Sequence, residues 1–106
     1  MKVLYSVGPE IGSETVMKKG IIREDFRPLR LEGETAISFD DVRQVELVKL
    51  SGLGTIIKVQ NGSDTLYLTV PRLYFNVGTG FVIVNYFATK KLKKVFDTVV
   101  NQTSVV

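Results

Sequence analysis

The chain has 106 residues, of which 44% are hydrophobic and 24% charged, and it carries a net charge of +3. That length suits a single domain over residues 1–106, able to bury a core without disulfides or a structural metal. Cysteine and histidine are both absent, which excludes disulfides, zinc–thiolate sites, cysteine nucleophiles and any histidine-based acid, base or triad.

Turn signals recur every eight to twelve residues or so, the rhythm of an all-β barrel or sandwich. Lys2 to Val7 reads as a strand ended by Gly8-Pro9. Thr15 to Arg23 reads as a second strand, with Gly20 marking a bulge or bend. Asp25 to Pro28 interrupts it, and Leu29 to Leu31 resumes extended structure. Glu32-Gly33-Glu34 turns the chain into Thr35 to Phe39, where Ile37 and Phe39 share a face. Asp40-Asp41 is a local turn, because aspartate bonds readily to neighbouring backbone. Val42, Val45 and Val48 allow a helical turn, but the β-branched content favours a strand over Arg43 to Leu50.

The clearest hairpin pairs Thr55–Gln60 with Thr65–Val70 around Asn61-Gly62-Ser63-Asp64, where Asn-Gly supplies positive φ angles. Leu66, Leu68 and Val70 alternate with Tyr67 and Thr69, so one face of that strand is expected to be buried. Leu73–Val77 and Phe81–Val84 form a further hairpin around Gly78-Thr79-Gly80. The period then changes. Ala88, Leu92, Val95, Phe96 and Val99 make one apolar stripe on a helix from about Tyr86 to Asn101. Asn85 is its expected N-cap, and the chain is expected to fray beyond Asn101.

Charge is unevenly placed. Residues 1–70 sum to −1, whereas residues 71–106 hold five basic residues against Asp97 alone. Lys90, Lys91, Lys93 and Lys94 lie off the apolar stripe. They form either a solvated face or a site for an anionic membrane surface, a phosphoinositide or nucleic acid. Nucleic acid is disfavoured, since Phe96 falls on the stripe and not among the lysines.

The other motifs read more plainly as structure. Gly52-Leu53-Gly54 and Gly78-Thr79-Gly80 lack the lysine and following helix of a phosphate-binding loop and read as turns. Asp40-Asp41 with Glu46 lacks the oxygen-ligand spacing of a calcium loop. Arg23, Arg27 and Arg30 beside Phe26 are interspersed with Glu24, Asp25 and Glu32, so local ion pairs are expected. Tyr5, Tyr67, Tyr74 and Tyr86 are expected at core edges with their hydroxyls outward. Neither a metal nor a cofactor site is predicted.

The segment Ala36 to Glu46, with an apolar residue, an acidic turn and Val42-Arg43-Gln44-Val45 leading into a strand, resembles pleckstrin-homology-like and GRAM-like domains. Two strands around a polar turn and a closing amphipathic helix follow, so the resemblance spans roughly residues 15–100. It implies a mainly β fold (α+β), a partly open barrel of about seven strands in two near-orthogonal sheets, capped by one C-terminal amphipathic helix. It is closest to the small bacterial domains of this type. It also implies an adaptor and transfers no catalytic residue. Lipid-binding members carry basic residues in the first hairpin loop, whereas Gly8 to Thr15 here holds Glu10 and Glu14 and no lysine or arginine.

The reading is therefore a non-enzymatic interaction or adaptor domain, binding a protein partner or itself. The alternative is anionic lipid or nucleic-acid binding through Lys90, Lys91, Lys93 and Lys94. No apolar run approaches the roughly 20 residues of a bilayer span, and no secretory leader is read after Met1-Lys2, so a cytoplasmic location is expected.

Overall fold

The computed structural model describes residues 1–11, 17–25, 28–50, 54–70, 74–77, 80–83 and 86–104. Seven antiparallel strands make one curled sheet, a half-barrel with a C-terminal helix. The strands are β1 (Lys2–Val7), β2 (Lys18–Arg23), β3 (Arg30–Glu32), β4 (Ala36–Ser38), β5 (Val42–Leu50), β6 (Gly54–Asn61) and β7 (Asp64–Thr69). Their spatial order is β4-β3-β2-β1-β7-β6-β5. Thus the meanders β1–β4 and β5–β7 are joined through β1 and β7 as one ladder rather than stacked as two sheets. Lys2–Tyr5 of β1 pair with β2, whereas Leu4–Val7 pair with β7. This stagger along one short strand lets the sheet curl.

Two further strands, β8 (Tyr74–Val77) and β9 (Gly80–Ile83), form their own two-stranded ladder, as the sequence pattern anticipates. Helix α1 runs from Tyr86 to Ser104, a little past the expected end. The expected N-cap, Asn85, lies outside the described residues.

Alternation places Val3, Tyr5, Ile22, Leu31, Ile57, Val59, Leu66, Leu68 and Val70 on the inner face, where all are buried. Leu92 and Phe96 of α1 enter the same cluster at 0% exposure, with Ala88, Val95, Val99 and Val100 packed beside them. Each of the two large residues contributes about 1.5–3 kcal/mol by leaving water. Phe96 meets Phe39 edge to face, with ring centroids 4.8 Å apart. Thr89, also buried, accepts the Val70 N–H at 3.4 Å and ties the end of β7 to the helix.

Gly20 sits in regular register opposite Val3, so it is not a bulge. Its role is to leave room. A Cβ there would lie 2.8 Å from Leu31 and 3.0 Å from the Tyr5 ring. A Cβ on Gly33 would lie 2.3 Å from the Tyr5 hydroxyl. Tyr5 is accordingly buried against two glycines, and its hydroxyl accepts the Glu34 N–H at 3.1 Å. Tyr67 is buried as well, donating to the Pro9 carbonyl at 3.1 Å. Neither hydroxyl points outward as expected, because each finds a backbone partner inside the fold.

Three more details differ from the sequence reading. β5 is strand from Val42 onward, with a register shift between Val42 and Gln44 and no helical turn. The β6–β7 turn closes on Asn61↔Asp64, and only Gly62 has a positive φ (61°), so glycine at the first central position serves in place of an Asn-Gly pair. β7 is buried on both faces from Leu66 through Thr69, Tyr67 included, and Val70 just beyond it is buried too.

Candidate functional site

Asn61, released from the turn, braces the open end of the sheet. Its amide donates to the Ser38 carbonyl at 3.0 Å and accepts the Asp41 N–H at 3.2 Å. The Gly62 N–H adds a bond of 2.8 Å to the Asp41 carbonyl. The Asp40–Asp41 segment is therefore a structural corner. The Asp41 carboxylate pairs with Arg43 at 3.1 Å, and Glu46 accepts from Gln44. Among the described residues, no group of three acids is close enough to hold a metal ion.

The four lysines do not form one cluster. Lys90, Lys91 and Lys94 are exposed on the outer side of α1. Lys93 turns toward the core edge and pairs with Asp97 at 2.8 Å, its side chain only 25% exposed. A pair of this kind contributes about 0.2–0.5 kcal/mol and neutralises the helix's one acid. Sequence reasoning missed Phe87, which lies on the same outer side and is 79% exposed, the largest value among the exposed apolar residues described. The signal was available: Phe87 precedes Lys90, Lys91 and Lys94 by three, four and seven residues, the spacing of one helix face.

The arginines behave as expected of local pairs. Arg23 meets Asp25 at 3.4 Å and stands opposite Arg30 in the β2–β3 ladder, while Phe26 and Arg27 lie outside the described residues. The Asp25 carboxyl is held below its ordinary value, first by its own backbone N–H and then by Arg23. Lys18 binds Glu34 at 2.8 Å, and that hydrogen bond holds its ammonium above its ordinary value. Of the first loop, residues 12–16 lie outside the described residues. The Gly52-Leu53 and Gly78-Thr79 turns lie outside them too.

Two further surfaces were not anticipated. One is an open hollow of about 540 Å³ on the outer face, lined by Lys2, Leu4, Lys19, Ile21, Glu32 and Gly33 among others. The other is β5. It is the edge of the seven-stranded sheet, nine residues long, and among the described residues no strand pairs with its outer side. Comparison with models of known protein families, with curated proteins and with solved structures finds no match.

Proposed function

We propose that the chain is a non-enzymatic, pleckstrin-homology-like interaction domain that takes a protein strand along the outer edge of β5. A curled seven-strand half-barrel closed by a C-terminal helix is compatible with that fold. The observation that carries the reading is the outer edge of β5, with which no strand pairs among the described residues, because such an edge presents N–H and C=O groups that a second strand can satisfy. The opposite edge, β4, has three residues and offers little to pair with. Leu47, 37% exposed, and half-buried Val45 and Val48 give β5 apolar contacts for an incoming strand. The same edge on a second copy is one eligible partner, which makes self-association part of this proposal.

Amide hydrogen exchange of β5, followed across protein concentration by ultracentrifugation and then in cell extract, tests it. Alternate β5 amides, those directed away from β6, are expected to slow when a partner strand adds. A chain that stays monomeric and whose β5 amides remain fast in extract would overturn the proposal.

A further inference from the structure

The outer face of α1 combines features that neither the core nor the β5 edge uses. At about 100° per residue, Phe87, Lys90, Lys91 and Lys94 fall within a sector of about 100°, turned away from the stripe of Ala88, Leu92, Val95, Phe96 and Val99. All four are exposed, Phe87 at 79%. They span about 10 Å along the axis, a length one flat surface can touch at once. The single acid of the helix, Asp97, lies at the flank and is matched by Lys93. The described part of the face thus presents three exposed ammonium groups and one large exposed apolar ring.

That pattern separates the anionic partners from one another. A single-stranded nucleic acid needs several stacking platforms along a groove, and this convex face offers one aromatic at one end. A soluble phosphate would use the lysines and leave the ring in water. An anionic bilayer uses both, because its headgroups draw the lysines while the acyl boundary accepts an aromatic side chain. We propose that α1 docks the domain on an anionic bilayer, with Phe87 inserted at the headgroup level and Lys90, Lys91 and Lys94 against the lipid headgroups. This surface is not the first hairpin loop, where lipid-binding domains of similar fold place their basic residues. It is independent of strand addition at β5, so either proposal can fail without the other.

The chain has no tryptophan, so Phe87→Trp installs a lone fluorescent reporter in the position that should insert. The test uses vesicles of phosphatidylcholine alone, vesicles of phosphatidylcholine and phosphatidylserine in equal parts, and a single-stranded oligonucleotide. The Phe87→Trp protein is expected to sediment with the anionic vesicles at low salt, with a blue shift of its emission, and to be released as salt rises. Neutral vesicles are expected to bind far less. Lys90→Gln, Lys91→Gln and Lys94→Gln should each weaken binding about fivefold, and together about a hundredfold. Phe87→Ala should weaken it about tenfold. All four positions are exposed, so the melting curves should be unchanged. Any of three results overturns the proposal: no sedimentation with anionic vesicles at low salt, binding without a blue shift and unaffected by Phe87→Ala, or tighter binding to the oligonucleotide than to the vesicles.

Discussion

Replacing Phe96 with alanine tests whether the helix completes the core or merely rests on it. Phe96 is fully buried, and its ring stands edge to face on Phe39 at 4.8 Å, with the two planes at 85°. Loss of a buried phenylalanine costs about 3–5 kcal/mol, including the cavity left behind. Of this, about 0.5–1.5 kcal/mol belongs to the aromatic pair. A domain of this size has about 5–15 kcal/mol in total, so the variant should lose a large fraction of its stability. The melting temperature should fall by about 12 °C or more. Urea unfolding followed by circular dichroism measures the loss, and an unchanged m-value would show that the unfolded state is not the cause. Phe39→Ala and the double variant complete a cycle whose coupling should match the aromatic-pair energy. A loss below about 1 kcal/mol would mean that α1 is not part of the cooperative core, and the argument for a helix-closed half-barrel would fail.

Gly20→Ala should destabilise by about 1–3 kcal/mol in the same assay, because its Cβ would lie 2.8 Å from buried Leu31. A neutral or stabilising result would show that Tyr5 and Leu31 can retreat. Asn61→Ala should cost about 1–2 kcal/mol through the two bonds it makes to Ser38 and Asp41, and should speed amide exchange at Asp41. Unaltered exchange at Asp41 would count against the brace. The Asp25 carboxyl should titrate below 3.8 when followed by NMR. Its folded-state value is depressed, so the stability it contributes is present above the ordinary value and lost as the pH falls through the folded-state one. An Asp25 midpoint at or above 3.8 would contradict this.

What the sequence alone determined was whatever repeats within a few residues. The stripe Ala88, Leu92, Val95, Phe96 and Val99 declares its helix because burial on one side demands that spacing. The hairpins follow from alternation and from glycine at the turns. The mainly β class and the closing helix were readable for the same reason.

Only the tertiary structure decided which strands became neighbours. β1 pairs with β7 across some sixty residues of chain, and no local period records that choice. The pairing puts β5 at the end of the strand order and buries Tyr67 and Thr69 on a face that alternation marks as outward. It also brings Tyr5 against Gly20 and Gly33, which sequence could read only as a bend and a turn. The lysines were visible as charge. Their spacing already set Lys90, Lys91 and Lys94 on one face with Phe87, whereas the ion pair that holds Lys93 to Asp97 and its partial burial appear only in the packed helix.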